Sequence, residues 1–214
     1  MRLFLLSLIL MLAACSEQEP NQQSAAETNA AKIQSEAIDP VASETVRLNS
    51  WFDEQYAEQL DFSPQTKTRL GDKSDYDSLN DYSIAGSDEQ LRWRRQSVAA
   101  MQADFDYSLL NKDGKLSYDM WSYSLDRAEA GVPFRQHGYI FGRGGPHASL
   151  PNFLINYHRV DDVSDIEAYL SRLGDLDRVF GELLDRARSA SRAGIRQPAF
   201  AYDFAMTEID RVTS

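Results

Sequence analysis

The residues able to build a hydrophobic core are confined to one part of this chain. Of its 214 residues, all three Trp, all ten Tyr and all but one of the ten Phe lie beyond Val46. The stretch before it, Ser16 to about Thr45, consists mainly of Ser, Gln, Glu, Asn and Ala, with few large apolar side chains and no aromatic. Such a segment cannot bury enough surface to offset its ordering entropy. Any fold must therefore come from residues 46–214. Residues 15–45 read as a tether with a reach of roughly 30 Å, about 5–6 Å times the square root of its length. Good helix formers around Ala25 to Ala37 have no apolar face, so only transient turns are expected there.

Within residues 46–214 the apolar spacing is helical, and the expected class is mainly α: amphipathic helices in an irregular bundle, forming an incomplete domain. Trp51, Phe52, Tyr56 and Leu60 mark one helix. Ser63-Pro64 caps and opens a short second one that Gly71 closes. Asp72 to Ser83 has no period and reads as a loop. Ser87 with Gln90 matches a capping box, followed by Leu91, Val98, Met101 and Phe105 on one face. Another helix runs from about Leu116 through Tyr118, Trp121 and Leu125 until Gly131 and Pro133 stop it. Residues 138–151, with Gly142, Gly144, Gly145, Pro146 and Pro151, read as a Gly/Pro-rich loop in which Tyr139-Ile140-Phe141 forms a short strand or a buried extended piece. Phe153-Leu154-Ile155 is too short to assign. Ser164 with Glu167 suggests a capping box for a helix with Ile166, Tyr169, Leu170 and Leu173 facing inward, ended by Gly174. Leu176, Val179, Phe180, Leu183 and Leu184 mark the next helix, to about Gly194. Phe200, Phe204 and Ile209 begin a last one, with no recognisable C-cap before Ser214.

The N-terminus carries an address. Met1-Arg2 supplies a positive charge, Leu3 to Leu12 is unbroken apolar sequence, and Leu12-Ala13-Ala14-Cys15 follows. Residues 1–14 read as a secretory signal peptide. The tetrad resembles the bacterial lipobox, in which the thiol is acylated and the signal removed so that Cys15 becomes the N-terminus and a membrane anchor. An ordinary signal peptide with a chance cysteine is the alternative, but charge, apolar length, small residues and cysteine position all agree with the lipobox. Ser16 after the anchor, where no Asp stands, implies sorting to the outer membrane of a Gram-negative cell, facing the periplasm. Several acyl chains, including palmitate, would make the anchoring stable at about 0.8 kcal/mol per buried methylene.

Charge and cysteine count exclude several classes. The net charge is −11, and the signal peptide removes only Arg2. A chain this acidic is repelled by a phosphate backbone, so nucleic acid is excluded as a partner. A single cysteine makes no internal disulfide and no multi-thiolate zinc site.

The motifs that imitate chemistry are mostly structural. Asn111 to Leu116 imitates the middle of an EF-hand, but that register puts Leu109 and Met120 at the first and twelfth positions, where calcium needs Asp and Glu. It reads as a turn opening a helix. Gly142 to His147 matches neither the phosphate-loop nor the dinucleotide pattern. With Asn156, however, Gly144, Gly145 and His147 make a candidate cleft wall. His158 with Asp161, Asp162 and Asp165 reads as a helix N-terminus whose carboxylates offset the dipole, since no His pair falls at i, i+4 and no His-Glu-x-x-His occurs. His137 reads as an ordinary surface or core imidazole, and Arg186, Arg188, Arg192 and Arg196 as cations complementing a helix C-terminus. There is no Gly-x-Ser-x-Gly. Catalytic, cofactor-binding and metal residues are expected to be none in this chain.

Taken in order, Trp51-Phe52 to Gln59, Ser63-Pro64, Leu70-Gly71-Asp72, Asp77-Ser78-Leu79 to Ser83, Leu116 to Asp119, Gly144 to His147, Ser149 to Pro151, Phe153 to Asn156, Ala168 to Leu170 and Gly194 to Pro198 resemble a known sequence. It is the N-terminal part of the bacterial family called domain of unknown function 885, often lipoproteins. The resemblance covers Trp51 to the end. It implies a large, mostly helical protein related to zinc metallopeptidases of the gluzincin type, in which a His-Glu-x-x-x-Gly-His-His helix holds the metal. No position of this chain matches that helix, so zinc is expected only in a full-length member. The resemblance thus implies a non-catalytic N-terminal portion whose partners are the membrane, through Cys15, and a peptide substrate or a missing C-terminal half. The alternative is a lipid-anchored helical module that binds a periplasmic peptide or protein without catalysis.

Overall fold

The helical spacing is realised as seven α-helices and two 3-10 segments among the residues that a computed structural model describes, Asp39 to Thr213. The signal peptide, Cys15 and the tether as far as Ile38 lie outside the described residues. The helices are α1 (Pro40–Asp61), α2 (Pro64–Leu70), α3 (Ile84–Asp104), α4 (Lys112–Gly131), α5 (Pro146–Asn156), α6 (Val163–Arg192) and α7 (Ala199–Thr213). No described residue is in a strand. The class is mainly α. Among the described residues no helix is long and apolar enough to cross a membrane.

Two apolar clusters hold the helices. One joins α1, α3 and α4: Leu48, Met101, Phe105 and Leu110 are buried, with Trp51, Phe52, Tyr118 and Trp121 packed against them. Trp51 and Phe52 both meet the Trp121 ring, at 6.0 and 5.3 Å between centroids. The other joins α5 and α6 to the 72–83 loop through Leu79, Leu150, Phe153, Leu154, Val179 and Leu183. The 3-10 segment Val132–His137 packs against both α4 and α6 and connects the two. On the first side Lys67, buried on α2, bonds Asp61 at the end of α1 and Asp75 in the loop.

Helix boundaries depart from expectation where local chemistry offers two choices. Helix α1 starts at Pro40, so residues 40–45, expected in the tether, are helical. Thr45 is buried, and its hydroxyl accepts from the Asn111 amide at 3.0 Å. Helix α3 is capped by Ser83, whose hydroxyl accepts from the Gly86 amide at 2.9 Å, while Ser87 lies one turn inside and donates to the Ser83 carbonyl. Helix α4 begins at Lys112, capped by Asn111, whose side-chain oxygen accepts from the Gly114 amide at 2.8 Å. The EF-hand-like stretch is thus the turn that opens α4. Past Gly131 the chain tightens into 3-10 geometry and only then turns.

The Gly/Pro-rich segment is shorter than expected. Pro146 sits at the first position of α5, where its missing N–H costs nothing. That converts residues 146–151 to helix and leaves only 138–145 irregular, with Tyr139-Ile140-Phe141 in a turn and not a strand. Phe153-Leu154-Ile155 is therefore the last turn of α5.

Helix α6 differs most. Its capping box is Asp162 with Asp165, not Ser164 with Glu167, and it runs 30 residues through Gly174 without ending. An interior glycine costs only about 1 kcal/mol, less than the burial on either side of it contributes. Its buried stripe is Asp165, Arg172, Val179, Leu183 and Ala190. Ile166, Leu170 and Leu173, expected to face inward, are exposed, as are Val163 (70%) and Leu184. At 100° per residue these fall on the side opposite Arg172. Helix α7 is reversed in the same sense: Ala201 and Ala205 are buried, while Phe200 and Phe204 are exposed.

Candidate functional site around the Gly-rich turn

The turn before α5 is built by backbone that only glycine suits. Gly144 has φ +69, in the left-handed region. Gly145 supplies the N-cap with extended backbone, and a Cβ there would collide with the Ile140 carbonyl and lie 3.1 Å from His147 Cε1. Gly142 N–H to Tyr139 O and Gly145 N–H to Gly142 O close the turn. This fixes His147 in the first turn of α5, where its side chain is 2% exposed.

The His147 ring is oriented from one side only. Nε2 lies 2.6 Å from Glu208 Oε2 on α7, and Phe141 packs beside the ring at 5.9 Å. Nδ1 is buried with no partner. The arrangement that leaves no orphan donor is Nε2–H donating to the carboxylate, with Nδ1 as a free acceptor. Glu208 thus sets the tautomer, and the lone pair at Nδ1 can accept a hydrogen bond. Gln197 Oε1, which approaches Gly142, is a second buried acceptor without a partner. A small cavity of about 60 Å³ adjoins the turn, lined among others by Tyr139, Phe141, Gln197 and Tyr202.

Asn156 does not belong to this wall. It closes the far end of α5, nine residues and roughly 14 Å along the axis from His147. There it is exposed, and its amide donates to the Asn152 carbonyl and side chain at 3.1 and 2.7 Å. A single loop over 138–151 would leave Asn156 free to fold back, whereas a helix from Pro146 fixes the separation. Gly144, Gly145 and His147 are together; Asn156 is apart.

A second polar centre has no signature in the sequence. Arg172 on α6 is fully buried, and its guanidinium donates to Ser78 O (2.9 Å), Thr68 Oγ1 (2.7 Å), Asp75 O (3.2 Å) and His158 Nδ1 (2.9 Å). Its faces lie on Tyr76 and Phe153, 4.9 and 5.1 Å from the ring centroids. All four acceptors are neutral, so desolvation holds its pKa below the ordinary arginine value. His158 accepts from Arg172 at Nδ1 and donates from Nε2 to the Asp165 carbonyl at 2.8 Å, while stacking on Tyr76. Burial foremost, then the Arg172 charge, pushes its pKa down against the opposing pull of Asp165, so the ring is the neutral Nε2–H tautomer. The Asp165 carboxyl is held low, first by Lys73 at 2.8 Å and then by the Asp161 and Asp162 amides. His158, Asp161, Asp162 and Asp165 therefore cap α6 and bind a buried arginine. Nothing in the periodicity marks Arg172, because a polar residue on an inward stripe breaks the pattern.

The three histidines do not make a zinc site. His158 uses both ring nitrogens, His137 is exposed against Phe134 in the 3-10 segment, and His147 stands with one carboxylate. No group of three or more His, Cys, Asp or Glu side chains able to hold a metal occurs among the described residues. Zinc chemistry needs two imidazoles and a carboxylate converging on one point, and these three rings stand in separate surroundings.

The fold and these two centres define a class: an all-helical, strongly acidic domain with a glycine-shaped turn and a buried arginine hub. A family model described as "Bacterial protein of unknown function (DUF885)" matches residues 64–214. The chain belongs to that family. No curated protein and no solved structure matches it.

Proposed function

We propose that this chain is the non-catalytic N-terminal portion of a zinc metallopeptidase-like lipoprotein, anchored through Cys15 at the periplasmic face of the outer membrane. Its α6 patch packs against the catalytic portion that carries the His-Glu-x-x-x-Gly-His-His helix. The observation that supports this reading is an apolar patch on the first half of α6: Val163, Ile166, Leu170 and Leu173 stand exposed within three turns, with Leu184 apart from them beyond Asp177 and Gly181. Burying such side chains is worth about 1.5–3 kcal/mol each, and an exposed apolar patch marks an interaction surface. The signal peptide and lipobox support the anchor, and the family resemblance supplies the peptidase expectation. Where zinc is held in such a partner it would lower the pKa of a bound water. This chain's role is to cover and position.

The test is hydrophobic-dye binding to the full chain at low temperature, followed by co-expression with the segment encoding the zinc helix. Strong dye binding, lost in Ile166→Asp/Leu170→Asp, and zinc-dependent peptide hydrolysis that needs the intact patch are expected. A dye-silent chain whose unfolding ignores both patch substitutions and the zinc-bearing partner would refute it. Metabolic labelling with palmitate, abolished by Cys15→Ala, checks the anchor. The second reading, a lipid-anchored binding module without catalysis, is favoured by a cleft between α3 and α4.

A further inference from the structure

Helices α3 and α4 run antiparallel and are closed at one end by Trp121, whose indole N–H donates to Ser97 at 3.0 Å. At the other end small residues face each other, Ser87 on α3 against Ser124, Ala128 and Gly131 on α4, and the helices leave a cleft of about 450 Å³. That is within the range of small-molecule sites, about 300–1,000 Å³. Arg94 and Arg135 line it. A smaller pocket of about 40 Å³ shares Ser87 and Arg135 with it and adds Arg186.

We propose that this cleft binds a small oxyanion-bearing ligand, a carboxylate or a phosphate, gripped by Arg94 and Arg135 with Arg186 in the small pocket beside it. Two half-buried guanidinium groups line the cleft, and a third, Arg186, lines the small pocket that shares Ser87 and Arg135 with it, in a chain of net charge −11. Elsewhere Arg47, Arg92, Arg95 and Arg178 meet carboxylates, and Arg127 and Arg143, which have no carboxylate partner among the described residues, are exposed to water. Arg94 instead donates to the Ser124 hydroxyl at 2.9 Å and Arg186 to the Tyr82 carbonyl at 2.8 Å, and neither has a carboxylate partner among the described residues. Arg135 is held by Asp88, a half-exposed carboxylate at 2.8 Å, which an incoming anion can displace into water. The planar fork of arginine suits bidentate oxyanions, and the partial burial of these three raises the worth of each contact over an exposed pair. Leu91 and Val132 line the same cleft and offer apolar contact to the body of the ligand. A further carboxylate on α4, Glu129, is occupied by Arg95 at 2.7 Å.

The probes are succinate, inorganic phosphate and uncharged succinamide, titrated calorimetrically into the full chain at low ionic strength. Saturable binding of succinate alone assigns a carboxylate ligand, of phosphate alone a phosphoryl ligand, and of both a general oxyanion site; succinamide does not bind. Arg94→Gln and Arg135→Gln weaken binding at least tenfold, while Arg127→Gln, an exposed position of α4 outside the cleft with no ion pair among the described residues, leaves it unchanged. Ala128→Leu fills the cleft without removing charge and abolishes binding, and thermal unfolding of each variant verifies folding. The proposal is overturned if neither anion binds, if Arg127→Gln weakens binding as much as Arg94→Gln, or if Ala128→Leu leaves it intact.

Discussion

Replacing Arg172 by Met tests whether the buried guanidinium organises the α2, α5 and α6 region. Met is long and apolar, so it nearly fills the space and isolates the polar effect. Three acceptors lose their donor: the Ser78 carbonyl, the Thr68 hydroxyl and His158 Nδ1. The Asp75 carbonyl keeps a bond from the Ser78 amide. The Thr68 hydroxyl still donates to the Pro64 carbonyl, so two groups are left unsatisfied at about 1–3 kcal/mol each, roughly 2–6 kcal/mol in all. Against this, a guanidinium no longer leaves water, which returns several kcal/mol. Because the acceptors are neutral, no buried charge is left behind, and the balance is smaller than for a broken ion pair, roughly 1–4 kcal/mol, still a sizeable part of the roughly 5–15 kcal/mol that holds a domain together.

Urea unfolding read by far-UV circular dichroism measures it. With a slope of about 2 kcal/mol/M, the midpoint should fall by about 0.5–2 M. Arg172→Lys keeps the charge but not the fork that spans Ser78 and Thr68, and should fall between wild type and the Met variant. A loss under about 1 kcal/mol for Arg172→Met, or a gain, would mean that desolvation outweighs the hydrogen bonds, and the hub would not be a source of stability.

Other outcomes rest on single contacts. Because the folded pKa of His158 lies below its ordinary value, the unfolded chain takes up the proton first; stability is full above about pH 6.5 and declines as pH falls through the folded pKa. His158→Phe should flatten the dependence of the urea midpoint between about pH 7 and 5, and equal slopes in the two proteins would refute the assignment. Gly145→Ala should cost about 1–3 kcal/mol, since its Cβ meets Ile140 O and the His147 ring. Gly174→Ala, helical with open space around it, should gain about 0.4–1 kcal/mol by restricting the unfolded chain. Thermal unfolding of the two side by side decides. Asn111→Ala removes the cap of α4 and should cost about 1 kcal/mol in the same assay.

Helix existence is legible where a periodic aromatic face meets a unique stop signal. Trp51, Phe52 and Trp121 do pack together, and Gly71, at φ +86, closes α2 as Ser63-Pro64 opens it. Boundaries are lost where two residues could serve equally. Ser83 and Ser87 are both competent caps, and so are Asp162 and Ser164; tertiary packing chooses between them. The faces of α6 and α7 are illegible for one reason. Periodicity assumes that apolar residues face inward, yet Arg172 and Asp165 are inward because neighbouring segments satisfy every donor, while Leu170 and Phe204 are exposed. The glycines and His147 are visible as a cluster in sequence. Glu208, 61 residues away, is not, because only folding brings α7 against the first turn of α5.

The two apolar clusters are joined by a 3-10 segment and by polar contacts of α2, which makes their unfolding separable. All three Trp belong to the first side: Trp51 and Trp121 pack on the Leu48–Met101 cluster, and Trp93 meets Trp121 at 6.2 Å. Tryptophan fluorescence therefore reports α1, α3 and α4, whereas far-UV circular dichroism also reports α5, α6 and α7. Phe153 is fully buried in the second cluster, so Phe153→Ala should cost about 3–5 kcal/mol there. If the coupling through Val132–His137 and the polar contacts of α2 is weak, this variant should shift part of the circular dichroism transition to lower urea and leave the fluorescence midpoint nearly in place. Non-coincident probes are the signature of a populated intermediate. Equal shifts of both midpoints would mean that the linking segment transmits the whole loss. An anion held between Arg94 on α3 and Arg135 in the linking segment would work in that direction, drawing the two midpoints together when succinate or phosphate is added.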